Sequence, residues 1–380
     1  MQQKEYAPSL YGGLFFLTCG MLLFEISLIR LFSVAQWYHF AFLVVSIAML
    51  GLGAAGSFLT IFSKWQHRVT PKQLSNLAFF FAMAVVISFA ITNQIPFDQQ
   101  KISWDVYQFI HLLIYYCLLA IPPFFVGLVL SSVYTKYSQS IGKFYFFDLF
   151  GAALGCVAVL MVSSLASGLG GIWTAAFCGM VSSLLFAPNL RSEFLKITLV
   201  SLVGIFWLLN PAPFSLKMSE YKALPQLLFP SDSKIMYTDW TPLARIDFVQ
   251  SPLVHFAPGL SLHSYASLPE QLGVVVDGGN LNAVTKFNGN PSSLAFVDNL
   301  PAALPFHLSK INSELVFEPL GGLDFLIGLY YGVLNIEGVG IYDRISKIAS
   351  EDFNQYSGGL FRNFEIKMNA MSPRAYLSQT

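Results

Sequence analysis

The residues best suited to chemistry lie late in the chain, in the stretch Val316–Ile345 and its flanks. Glu314–Phe317 reads as a short apolar strand, Leu320-Gly321-Gly322 as a turn, and Leu323–Gly332 as a helix with Asp324 in its first turn. A second strand, Ile336–Ile341, runs into Tyr342-Asp343; Arg344–Phe353 makes the next helix and Phe364–Met368 a third strand. Ser372-Pro373 then supplies an N-cap and a proline at the first helical position. In a strand–turn–helix unit of this kind the glycines let the backbone approach a ligand, and the helix N-terminus attracts anionic groups. An acid at the end of the second strand accepts hydrogen bonds from ribose hydroxyls. Adjacent glycines after a strand are also common in αβ turns that hold nothing, so the spacing alone leaves both a cofactor site and a plain turn open.

The elements that must position this unit follow from composition. The chain has 380 residues, 55% hydrophobic and only 11% charged, with a mean hydropathy of +0.59. Soluble domains carry about 25% charged residues, so this is the composition of a membrane protein. Net charge is zero and no basic run occurs, which excludes a nucleic-acid partner as the working expectation. Cys19, Cys117, Cys156 and Cys178 all sit in apolar stretches without a CxxC pair, so neither a metal site nor a disulfide framework is indicated.

Apolar stretches run over Leu10–Ser33, Phe40–Phe62, Leu74–Ile95, Val106–Val133, Phe144–Ser164, Gly171–Ala187 and Phe194–Leu209. A crossing needs about 17–25 residues, so about seven helices fit a multipass α-helical membrane domain over residues 1–210, the last two short. The first lacks the basic leader and small-residue cleavage site of a signal peptide. Positive residues cluster between alternate pairs of stretches, at Lys64, Arg68 and Lys72, at Lys136 and Lys143, and at Arg191 and Lys196. The opposite loops hold little beyond Asp98, Lys101 and Asp105. This asymmetry places the N-terminus in the cytoplasm and, with an odd number of crossings, the C-terminal part outside. A domain using an adenosyl cofactor belongs in the cytoplasm, where such cofactors are made, and this favours one miscounted crossing.

Several polar residues lie within or at the edge of the apolar stretches, among them Glu25, Arg30 and Asp148. Ionisable groups at membrane depth are functional candidates by default, here for transport; the alternative is that Glu25 and Asp148 fix helix packing, or that Asp148 caps its helix. Glu25 and Arg30 are about 140° apart around a helix and poorly aimed at each other. Gly51-Leu52-Gly53-Ala54-Ala55-Gly56 matches a dinucleotide fingerprint but has no strand before it. Its small residues, like those of Gly151-x-x-x-Gly155, suit close helix approach instead.

Beyond Asn210-Pro211 the pattern changes. Residues 211–305 read as a linker with a helix over Met218–Phe229 and a β-rich segment, and residues 306–380 as an incomplete Rossmann-like α/β domain. Ala244–Val249 alternates as a strand. Gly273–Asp277 enters a hairpin turn at Gly278-Gly279, and Leu281–Thr285 returns. Asp277 suits a ligand, but Asp-Gly is also a turn former.

Taken in order, these segments resemble the spermidine synthase-like (polyamine aminopropyltransferase) family in its membrane-embedded bacterial branch. The resemblance rests on LLFEISLIRLFS around Glu25 and Arg30, IPPFFVGLVL, GKFYFFDLFGAALG, SEYKALPQLL, WTPLARIDFVQSP, APGLSL, VVVDGG and the glycine unit. No single motif is diagnostic; their order and spacing over nearly the whole chain carry it. The resemblance implies a transferase domain behind a small β-domain, in a bacterial inner membrane, using S-adenosylmethionine or its decarboxylated form and a small amine substrate. It carries cofactor contacts to Gly321, Gly322 and Asp324, and puts Asp277 at the family's Asp-Gly. Glu318 and Leu320 stand where the family has glycines, and the acid at the end of the second strand falls at Gly340, leaving Asp343 as a substitute. The family's catalytic acid follows a fourth strand, beyond Thr380, so complete transfer chemistry is not expected from this chain alone. The alternatives are a non-enzymatic membrane protein with a vestigial ligand- or partner-binding domain, and a transporter.

Overall fold

A computed structural model describes residues 8–62, 69–166, 168–189, 193, 196–199, 201–202, 205, 216–261, 263–363 and 365–379. The chain forms two compact units, Met1–Ser219 with Trp240–Pro242, and Glu220–Asp239 with Leu243–Thr380. The β-rich and α/β segments thus belong to one unit, where the sequence reading separates them near residue 305.

The first unit is helical: α1 (Pro8–Ala35), α2 (Phe40–Ile61), α3 (Pro71–Thr92), α4 (Tyr107–Lys136), α5 (Ile141–Leu165) and α6 (Gly170–Phe186). Among the described residues five helices, α1 to α5, are long and apolar enough to cross a membrane, and α6 has 17 residues. Most of the seventh apolar stretch, Phe194–Leu209, lies outside the described residues, as do Lys64, Arg68 and Arg191. α1 packs on α2, α5 and α6 and buries Leu14, Leu17, Leu23 and Leu31 completely. The outer surface is apolar, with Phe42, Met49, Leu113, Phe146 and Leu165 exposed.

Local chemistry sets the helix ends and contacts. The Thr70 hydroxyl accepts from the Gln73 N–H and Gln73 Oε1 accepts from the Thr70 N–H, a capping box that starts α3 ahead of Pro71. α5 crosses α1 at Gly151 and Gly155, where an added Cβ would lie 2.3 Å from the Phe15 carbonyl oxygen and 2.4 Å from that of Cys19. The fingerprint look-alike divides between helix faces: Gly51 abuts the Ala120 carbonyl on α4, whereas Gly53 and Gly56 face open space.

The second unit contains two sheets. Strands β1 (Lys234–Trp240), β2 (Arg245–Gln250), β3 (Gln271–Val276) and β4 (Asn280–Thr285) form one, in that order, with β2/β3 and β3/β4 antiparallel. Strands β5 (Ser313–Phe317), β6 (Asn335–Val339) and β7 (Ile366–Asn369) form the other, parallel throughout and in sequence order. Helix α7 (Leu323–Tyr330) crosses from β5 to β6 and α8 (Asp343–Glu351) from β6 towards β7. Ile345, Ile348 and Ala349 of α8 join a core with Ile246, Phe248, Val274 and Val284 of the antiparallel sheet. Phe325, Leu326 and Ile327 of α7 join Val316, Ile336 and Ile366 in a second core. The hairpin read at Gly273–Thr285 is present, and Ser372 accepts from the Ala375 N–H as the expected N-cap. The helix expected over Met218–Phe229 shrinks to Ala223–Leu227, because Lys222 is extended, with ψ 149°.

Candidate functional site

The carboxyl ends of β5 and β6 and the turns that follow them bring together more than the glycines. The chain leaves β5 through Glu318 (φ +50°) and Leu320 (φ +25°), both left-handed, before Gly322 (φ +81°) caps α7. Non-glycine residues enter this region at a cost of about 1–2 kcal/mol each, so the turn holds strain. Gly321 and Gly322 are used by packing. A Cβ on Gly321 would meet the Ala283 carbonyl oxygen at 2.1 Å, and one on Gly322 would meet Leu360 and Phe361 within 3 Å. The Gly321 N–H donates to Asn282 Oδ1 at 3.3 Å, fastening the turn to β4.

Glu318 reaches across to the end of β6. Its N–H donates to the Val339 carbonyl at 2.8 Å, continuing the ladder, and its Oε1 accepts from the Ile341 N–H at 3.2 Å. Its Oε2 is buried with no hydrogen-bond partner among the described residues, 2.9 Å from where a side chain on Gly340 would begin. Glu318, read from the sequence only as a departure, therefore occupies the place where an acid on β6 would stand. Asp343, the expected substitute, directs its carboxylate to Lys347 at 2.7 Å along α8.

Tyr342 lies beside two acids: burial raises its hydroxyl pKa, and Asp277 and Glu318 add to the shift. Asp277 (φ +49°) accepts from the Arg245 N–H at 2.9 Å through Oδ1, and its carbonyl accepts from Lys222 Nζ at 2.9 Å. Turn chemistry thus engages Asp277 while leaving it near Tyr342, which Glu318 also approaches. Lys222 is 4% exposed; burial lowers its pKa and Asp277 opposes that shift. Lys222, Asn282 and Tyr342 escape the sequence reading as site residues; Lys222 lies in SEYKALPQLL, where Ser219, Glu220 and Gln226 are polar too and nothing singles the lysine out.

Asp324 faces a different neighbour. Burial raises its carboxyl pKa, and it adds to the effect of burial on Glu314, pushing that carboxyl up to about 7. Glu314 Oε2 is buried without a partner among the described residues, against Gly328, where a Cβ would lie 2.2 Å away. An acid whose folded pKa exceeds its unfolded value favours the fold when protonated. Its contribution is complete below about 4.5 and lost as pH rises to about 7. Glu314→Gln is therefore expected to flatten the fall in the denaturation midpoint of the full chain between pH 4.5 and 7; an unchanged slope would contradict the assignment.

The polar residues of the helical unit separate. Asp148 lies two turns inside α5, so it does not cap that helix; its Oδ2 accepts a short hydrogen bond from the Tyr134 hydroxyl of α4. The Asp148 carbonyl accepts from Thr18 Oγ1 at 2.9 Å, which ties α5 to α1. Arg30 donates from Nη2 to the Thr241 carbonyl at 2.7 Å, within the same unit. Glu25 borders a narrow cavity between α1, α2 and α4, lined by Met21, Leu28, Val44, Ala48 and Pro123, and takes no hydrogen bond or ion pair among the described residues. Those residues also contain no group of three or more His, Cys, Asp or Glu able to hold a metal ion. No family model, curated protein or solved structure matches the chain.

Proposed function

We propose that the chain is a multipass membrane protein of spermidine synthase-like type whose second unit is a Rossmann-like binder of an adenosyl compound, S-adenosylmethionine or its decarboxylated form. The observation that carries this reading is the gathering of Glu318, Tyr342 and Asp277 at the carboxyl ends of parallel β5 and β6. In open parallel sheets ligands bind there, because loops diverge and helix N-termini point inward. The strand order β5-β6-β7 with crossover helices is that of half a doubly wound sheet. A sulfonium is a cation and suits the neighbourhood of two acids. Transfer to an amine further requires a carboxylate to take up the proton, and no described residue is assigned that role.

Seven crossings are supported by the two ends of the helical unit. Lys196 Nζ donates to Ser75 Oγ and Asn76 Oδ1 near the start of α3, and Ser183, which donates to the Ser75 carbonyl, lies on α6 one residue from Ser182, bonded to the Gly13 carbonyl of α1. Lys196 is thus at the end where α1 begins. Ser219 donates its N–H to the Ala35 carbonyl, at the other end. Lys196 and Ser219 thus lie at opposite ends of the helical unit, which favours an odd number of crossings over the miscounted one.

Calorimetry on the purified full chain in micelles tests the binding reading. S-adenosylmethionine, its decarboxylated form or 5′-methylthioadenosine is expected to give saturable heat; silence with all three leaves a non-enzymatic partner-binding protein as the better description. Transport is the weaker alternative. Asp148 is engaged by Tyr134, and Glu25 stands seven residues beyond Thr18 on α1, about 10 Å away, so the two do not make a relay.

A further inference from the structure

The geometry points to Glu318 as the residue that accepts the ligand's vicinal hydroxyls, replacing an acid on β6 by one delivered from the turn after β5. This rests on the adenosyl reading above and names the group that would recognise the sugar. Three observations carry it.

First, Glu318 and Gly340 form a matched pair. Any side chain at position 340 would start 2.9 Å from Glu318 Oε2, so the glycine is what admits the carboxylate. An acid placed at 340 itself and Glu318 in this rotamer exclude each other. Second, the carboxylate is half used. Oε1 is held by the Ile341 N–H, whereas Oε2 is buried with no partner among the described residues. A buried acceptor without a donor costs about 1–3 kcal/mol, and a ligand O–H would remove that penalty. Third, the backbone is strained to aim it: Glu318 holds φ +50°, and Leu320 φ +25°, where glycine is the usual occupant.

The same carboxylate narrows the ligand class. A glycine-rich turn before a helix ordinarily receives phosphate. Here a negative charge lies in that turn, and like charges a few ångströms apart repel strongly at low dielectric. Asp277 lies nearby and adds to the repulsion. The site is therefore one for an uncharged or cationic nucleoside, not a nucleotide.

The test is titration of the full chain in micelles with 5′-methylthioadenosine, its 2′-deoxy and 3′-deoxy counterparts, and adenosine 5′-monophosphate. Wild type is expected to bind the ribose compound about tenfold to a hundredfold more tightly than at least one deoxy form, the range for a hydrogen bond to a charged group, and to bind the monophosphate more weakly still. Glu318→Gln is expected to lose most of that discrimination and to regain affinity for the monophosphate. Gly340→Ala, which displaces the carboxylate while keeping its charge, is expected to lose the discrimination too. Its thermal midpoint serves as the check on folding. Equal binding of ribose and deoxy forms by wild type, or undiminished discrimination in both variants, overturns the role of Glu318 while leaving the adenosyl reading intact. Tighter ribose binding by Glu318→Gln identifies the carboxylate as a plug and also overturns it. No binding of any nucleoside by wild type removes both readings together.

Discussion

Replacing Asp247 by alanine is expected to destabilise the second unit by about 3–5 kcal/mol, the range for removing one partner of a buried ion pair. The Asp247 side chain on β2 is completely buried. Its Oδ1 accepts from Arg245 Nη2 at 2.8 Å and from the Thr238 hydroxyl at 2.7 Å. The Arg245 side chain is itself only 12% exposed, so deleting the carboxylate removes an ionic partner from a guanidinium where water reaches it poorly. The effect would spread to the site, because the Arg245 backbone brackets Asp277: its N–H donates to Asp277 Oδ1, and its carbonyl accepts from the Asp277 N–H at 2.8 Å. The comparison is Lys286 with Glu270, whose side chains are 58% and 54% exposed. Glu270→Ala is expected to change stability by less than about 1 kcal/mol, as exposed pairs do. Denaturant titration of the full chain, followed by hydrogen exchange in β2 and β3, reads both. An Asp247→Ala loss no larger than that of Glu270→Ala would mean that the buried pair contributes nothing beyond an exposed one.

The second large effect concerns sidedness. With an odd number of crossings, the segment after Ser219 emerges opposite the end that carries Lys72, Lys136 and Lys143. Lys136 marks that end by donating a short hydrogen bond to the Val69 carbonyl, just before α3 begins. Positive loops stay in the cytoplasm, so the second unit is expected outside it. Single cysteines at Tyr265, which is fully exposed, and at Lys72, also exposed, report the two sides in a background lacking Cys117. A membrane-impermeant maleimide is expected to label Tyr265→Cys on intact cells and Lys72→Cys only after disruption. The reverse pattern would restore the miscounted crossing and return the second unit to the cytoplasm.

Much of the framework was legible without coordinates. The helices α1 to α6 follow from unbroken apolar runs, and α3 begins where Thr70-Pro71 and Gln73 make a cap. The hairpin follows from three valines and Asp277-Gly278, and the parallel unit from two short apolar strands separated by a glycine turn and a helical period. Each of these is written within a few residues, because turn angles, capping bonds and side-chain periodicity are local properties.

The site was legible only in outline. Gly321 and Gly322 read as ligand-facing, yet the first is required by Ala283 of β4 and the second by its left-handed backbone beside Leu360 and Phe361. Asp343 was the evident substitute acid by its position in the chain, but its carboxylate follows its own helix to Lys347. Glu318 looked like a lost glycine. Only the parallel pairing of β5 with β6, which sets Phe317 beside Val339, brings its carboxylate to Gly340 and Ile341.

What the sequence by itself determined is therefore the kind of each element and the order in which the elements come: apolar helices, an antiparallel hairpin, and a strand–turn–helix–strand unit. What the tertiary structure decided is which polar atoms end up opposite one another: Asp148 with Tyr134, Asp247 with Arg245 and Thr238, and Glu318 with the end of β6. The reason is physical. Backbone preference and periodicity act over one or two turns of chain, whereas partnership of buried polar groups depends on strand register and helix packing between segments that local propensity does not relate.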